Sequence, residues 1–127
     1  MNNDLVIKEK LKEILDEIKS TGRLIGVALS DREGTLILEN VSMEFDKSNC
    51  SSMCASVLES ALALGRTLEE QKVVKIITEV EETSIVILEC DEKRFLTLFA
   101  NYESKINVLL EEVKDFIKKI VLLYEYD

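Results

Sequence analysis

The sequence holds 127 residues, 46% hydrophobic and 32% charged, with four glycines and no proline; this profile fits one globular domain of regular elements over residues 1–127 and excludes a disordered or disulfide-stapled chain. Sixteen Lys and Arg against twenty-five Asp and Glu leave a net charge of −9, so phosphate backbones and anionic lipid surfaces repel the chain and nucleic acid is not an expected partner. The first residues, MNNDLVIKEKLKEILDEIK, carry charges every few positions, and no later window holds the ~18 uncharged apolar residues of a membrane span, so a cytoplasmic, soluble protein without membrane insertion is expected.

In chain order, Ile7, Leu11, Ile14, Leu15 and Ile18 recur at helical spacing from Asp4 to about Ser20, with Lys and Glu between them, which predicts a one-sided helix stopped at Gly22. RLIGVALS and TLILEN then read as strands, opened in the first case by Arg23. Asp31-Arg32-Glu33-Gly34 between them has an acceptor side chain first and glycine last, so it predicts a hairpin turn with solvated charges rather than a charged site. After the polar connector SMEFDKSN, a second helix is expected from Cys50 to about Gln71. Its apolar stripe is Cys54, Val57, Leu58, Ala61, Leu64 and Leu68, and a second stripe of small residues runs through Ser52, Ser56, Ser60, Ala63 and Thr67. The small stripe is either ordinary exposed surface or a face for close contact with another helix.

Three further strands follow at 72–80, 83–90 and 94–101, the last opened by Arg94. Their connectors are too short for crossover helices, so they form an antiparallel meander. The unbroken apolar run IVIL suggests a central strand, whereas KVVKIITEV, with Lys75 and Glu79, looks like a sheet edge. A last helix runs from about Glu103 to Tyr124, with Ile106, Leu109, Leu110, Val113, Phe116, Ile117, Ile120 and Tyr124 on one face. The order α-β-β-α-β-β-β-α implies an α+β domain, one five-stranded antiparallel sheet flanked by helices.

Catalytic signatures are scarce. The chain has no His and no Trp, and no GxSxG, GxGxxG, GxxxxGK or HExxH spacing. The carboxylate pairs Glu81 with Glu82 and Asp91 with Glu92 fall in expected turns and read as solvated charge. Cys50 and Cys54 lie one helical turn apart and Cys90 elsewhere; without a His or a CxxC pair they read as unbridged packing residues rather than a metal site. No catalytic residue, metal or cofactor is expected, and the chain is not expected to be an enzyme.

The first helix closed by TGRLIGVALSDREGTLILEN, with its Asp-x-x-Gly turn, the alanine- and serine-rich second helix SSMCASVLESALALGRTLEE, and the meander followed by a final helix resemble the Roadblock family. That family takes in the dynein light chain of that name and MglB-like regulators of small GTPases. The resemblance spans nearly the whole chain. It implies a Roadblock-like, profilin-like fold, and a homodimer, or a heterodimer with a related Roadblock-like chain, in which edge strands pair and second helices pack together. It also implies a small Ras-like GTPase as partner, or an adaptor role in a motor or signalling complex. The expected dimer interface is Val74, Ile76 and Thr78 on the edge strand with Ser52, Ser56, Ser60 and Ala63 on the helix. Arg32 and Arg66 are the cations expected to be free to reach a partner. A small-ligand sensor remains the alternative if a cavity of several hundred Å³ separates sheet from helix.

Overall fold

The computed structural model describes residues 2–125 and contains three helices and five strands. α1 (Asn2–Gly22), β1 (Gly26–Asp31), β2 (Leu36–Val41), α2 (Lys47–Thr67), β3 (Ile76–Val80), β4 (Thr83–Glu89), β5 (Arg94–Ala100) and α3 (Ile106–Glu125) follow the expected order. All pairings are antiparallel and the spatial order is β2-β1-β5-β4-β3. Among the described residues no helix is long and apolar enough to cross a membrane.

The expected meander β3-β4-β5 is present, and the IVIL strand β4 is interior as expected, with Val86 and Leu88 in one cluster and Ile87 in the other, while the middle strand of the five is β5. β5 sends Phe95 towards α2 and Leu96 and Leu98 towards α1 and α3, and every residue after Arg94 is buried. β4 lies one place out and its first three residues are only half-buried. β3 is the expected edge, shorter than its apolar run suggests: residues 71–75 carry no regular structure and the strand begins at Ile76.

The two layers over the sheet are unequal. On one face α1 supplies Leu11, Leu15 and Ile18, and α3 supplies Leu109, Val113, Phe116 and Ile120, to a cluster shared with Val27, Leu29, Val86 and Leu88. On the other face α2 buries Cys54, Ala55 and Leu58 over Ile87 and Phe95, with Cys50 and Leu62 partly buried beside them. The large cluster carries most of the buried apolar area and hence most of the hydrophobic stabilisation.

Local chemistry explains the element ends. α1 stops after Gly22, but the left-handed residue is Arg23 at φ 49°, so Arg23 sits in the helix-ending turn and does not open a strand. α2 begins three residues earlier than its stripe suggests. Asp46 caps it by accepting a hydrogen bond from Asn49 N at 3.0 Å, an N-cap hidden in a segment that reads as a polar connector. Its end has no αL glycine; Glu69 and Glu70 take φ of 60° and 61°, and Gln71 N bonds back to Gly65 O at 3.0 Å. A Cβ on Gly65 would lie 2.3 Å from Gln71 O, so only glycine permits this reversal.

The DREG segment is a turn. Asp31 Oδ1 accepts from Glu33 N at 3.0 Å and Thr35 N at 2.9 Å, and Gly34 takes φ 95°. Gly34 is also a packing residue, because a Cβ there would stand 2.8 Å from the Ser52 Cα of α2. Gly34→Ala should therefore cost about 2 kcal/mol or more, since it combines a strained φ with a clash against helix backbone. Chemical denaturation will measure this; a loss no larger than that of a surface Ala substitution would show that the turn and helix can yield.

Candidate interaction surface

Glu81 and Glu82 form the two-residue loop of the β3–β4 hairpin, where Val80 pairs with Thr83. In such a hairpin the pair flanking the loop is the hydrogen-bonded one, and bonded pairs alternate along the ladder. Ile76, Thr78 and Val80 therefore turn their backbone groups to β4, and Ile77 and Glu79 turn theirs to the open edge. The side chains alternate with the same period: Ile76 packs into the α2 cluster, which puts Thr78 and Val80 on the α2 face as well. Of the edge residues singled out from sequence, Ile76 is partly buried, Thr78 is exposed on the α2 face, and Val74 precedes the strand with 81% exposure. The groups able to pair with another strand belong to Ile77 and Glu79, positions that pattern-reading passed over.

The other edge of the sheet is better guarded. β2 is half-buried along its length, its pairing with β1 is irregular at Leu29/Ser30, and Asn40 is tied to α1 through Asp16 at 2.7 Å and Lys19 at 3.1 Å. β3 has neither bulge nor tie.

α2 buries a different stripe from the expected one. Ser51, Cys54, Ala55 and Leu58 face the sheet, while Val57, Leu64 and Leu68 are exposed, Leu64 at 63% and Leu68 at 54%. Cys54 and Leu58 are the two members of the expected stripe that are buried; Ala61 is half-buried. Ser52, Ser56, Ser60, Ala63 and Thr67 are all exposed, beside the apolar Met53, Val57 and Leu64. The outer face of α2 thus carries a ridge of small residues next to a ridge of large apolar ones. Its inner contact is partly polar: Ser51 Oγ donates to the fully buried Ser30 Oγ at 2.6 Å, and Thr97 is buried nearby.

Arg32 is not free to reach outwards. Its Nη1 donates to Glu89 at 2.7 Å and its Nη2 to Glu59 at 2.6 Å, which ties the hairpin tip to β4 and α2, and its backbone N donates to Lys93 O at 2.9 Å. The Nε is buried without a partner. Arg66 is exposed in the last turn of α2. Arg94 opens β5, as expected, and lies 3.3 Å over the Tyr124 ring with Asp91 at 3.2 Å.

Glu81, Glu82 and Glu92 are exposed loop acids, and Asp91 is a turn acceptor for Lys93 N and Arg94 N, each at 2.8 Å. The three cysteines are unbridged, and among the described residues no group of three or more Cys, Asp or Glu side chains is placed to hold a metal. The cavity between sheet and α2, lined by Ser30, Cys50, Ser51, Thr97 and Phe99 among others, is about 10 Å³, room for one water and not for a small-molecule ligand.

A five-stranded antiparallel sheet with two helices on one face and a single, thinly attached helix on the other defines a small three-layer α+β domain. The Roadblock/LC7 domain model matches residues 10–100, and the chain belongs to that family. Among solved structures, Myxococcus xanthus MglB is similar at TM-score 0.84 and 15% identity, covering 93% of this chain and 97% of that one. An MglB described as having a tetrameric arrangement gives 0.85 and 17%, over 93% and 90%. A Roadblock/LC7 domain from Streptomyces avermitilis gives 0.79 and 13%, over 88% and 95%. At these identities the likeness establishes the fold. No curated protein sequence matches the chain.

Proposed function

We propose that this chain is a non-enzymatic scaffold that dimerises through β3 and α2 and binds a small Ras-like GTPase, modulating its nucleotide cycle. The observation that carries the reading is the conjunction on one side of the molecule of an unguarded sheet edge and an uncovered, two-ridged helix face. Pairing β3 with β3 of a second copy about a two-fold axis satisfies both open rows of backbone groups and brings the α2 faces together. A related Roadblock-like chain would satisfy the same surface. The GTPase rests on family membership, in which such dimers serve as platforms, and no cofactor is needed for that role. The water-sized cavity removes the main support for a small-ligand sensor.

The regulator supplies no arginine finger in this reading. Arg32 is held by two carboxylates, and Arg66 stands at the exposed end of α2. Any effect on hydrolysis then works by shifting the GTPase's own switch segments. With a Ras-like GTPase retained from native extract, Arg32→Ala and Arg66→Ala should each lower stimulated turnover by about tenfold or less and in step with affinity. A fall of about 10³-fold with binding intact would mean a donated finger and defeat this part of the proposal. Failure of every Ras-like GTPase of the source cell to bind the dimer in either nucleotide state would defeat the partner assignment.

A further inference from the structure

The open edge of β3 carries a charge pattern complementary to its own reverse. Lys75, Ile77 and Glu79 alternate along it and all three are exposed, Ile77 at 49%. Ile77 and Glu79 turn their backbone groups away from β4, and the same alternation carried back past Ile76 places those of Lys75 on the open side. The three side chains share the face opposite α2, because Ile76 lies in the α2 cluster. Among the described residues the ion pairs involve neither Lys75 nor Glu79, so both charges are available to a neighbour.

We propose that the occupant of this edge is a second copy of the same chain, held in one register: the two-fold axis passes at Ile77, Ile77 faces Ile77, and Lys75 of each copy faces Glu79 of the other. This rests on the dimer reading above and adds to it the partner's identity and the alignment of the two strands. A related chain can match the backbone ladder, but to match the side chains it needs a base and an acid at these same positions.

Geometry limits the alternatives. Facing residues exchange both hydrogen bonds only when each turns its backbone groups to the other, so Lys75, Ile77 and Glu79 must pair among themselves and the axis must fall at a residue. Moved to Ile76, it sets Lys75 against Ile77. Moved to Thr78, it sets Glu79 against Ile77 and leaves Lys75 facing Glu81, which is in the hairpin loop and outside the strand. Moved to Lys75 or to Glu79, it puts like charges directly opposite each other, which is destabilising. The Ile77 axis alone joins opposite charges at both ends and covers the exposed Ile77 side chains with each other. It also lengthens β3, since Lys75 has no regular structure in the single copy.

The test is sedimentation equilibrium of the full chain and its charge-reversed variants at low ionic strength, with circular dichroism to confirm that each is folded. Glu79→Lys sets base against base at both ends and should raise the dimer dissociation constant about tenfold or more; Lys75→Glu sets acid against acid and should do the same. An equimolar mixture of these two variants regains opposite charges at both ends. It should form a mixed dimer within about threefold of the parent's affinity, and the double variant Lys75→Glu/Glu79→Lys should pair with itself equally well. Glu81→Lys changes the net charge by as much as Glu79→Lys but lies outside the pairs, so it should also stay within about threefold of the parent. A parent chain that sediments as a monomer would defeat the dimer reading itself. A parent dimer in which Glu79→Lys is no weaker than Glu81→Lys, or two single variants that fail to pair with each other, would leave the dimer standing and overturn the register.

Discussion

On the proposed pairing, Ile77→Pro is expected to yield a folded monomer at micromolar concentrations at which the parent chain should sediment as a dimer. The reasoning lies in the hairpin's alternation. The Ile77 N–H faces the open edge, so proline removes a donor that β4 does not use and places its ring where a second strand would lie. Ile76, Thr78 and Val80 keep their bonds to β4, and the Ile77 side chain, already 49% exposed, leaves little behind in the core. Ile76→Pro, at a residue of the interface expected from the sequence, is a poorer probe. It would cut a β3–β4 bond and withdraw a side chain from the α2 cluster, confusing loss of fold with loss of pairing. Sedimentation equilibrium with circular dichroism separates the two. A persisting Ile77→Pro dimer with unchanged sedimentation would show that β3 is not the pairing edge.

The parts of this surface that were legible in the sequence are those encoded by neighbours along the chain. Asp31 and Gly34 announce a turn because the acceptor and the positive φ sit within one four-residue window. α1 and α3 are one-sided, so their stripes name their buried faces. α2 is not. It carries Leu58 and Leu62 inwards and Met53, Val57, Leu64 and Leu68 outwards, and a stripe drawn by apolarity mixes the two sets. The unbroken apolar run marked β4 as an interior strand because both its faces are covered, but the β1–β5 pairing, which puts β5 in the middle, joins segments distant in sequence and leaves no local mark. Arg32 looked free for the same reason: Glu59 and Glu89 lie 27 and 57 positions away. The open backbone groups of Ile77 and Glu79 follow only once the two-residue loop fixes the register.

Leu58→Ala should be the costliest truncation on the interaction side, about 2–5 kcal/mol, and its effect should be confined to α2. Leu58 is 1% exposed and is the only large apolar α2 side chain that is fully buried, since its buried companions Cys54, Ala55 and Ser51 are small. Leu15, fully buried in the larger cluster, should cost a comparable amount when cut to Ala, but there α1, α3 and the sheet share the loss. Hydrogen exchange distinguishes the outcomes. Leu58→Ala should accelerate the amides of α2 while those of α1, α3 and β5 keep their protection, and Leu15→Ala should lower protection throughout. Uniform acceleration in Leu58→Ala would mean that α2 unfolds only with the whole domain. If α2 opens separately, its outer face is ordered only part of the time, and a second copy bound to that face adds its association free energy to the closed state. Protection of α2 in Leu58→Ala should then rise with protein concentration, whereas a concentration-independent rate would separate the stability of this helix from pairing.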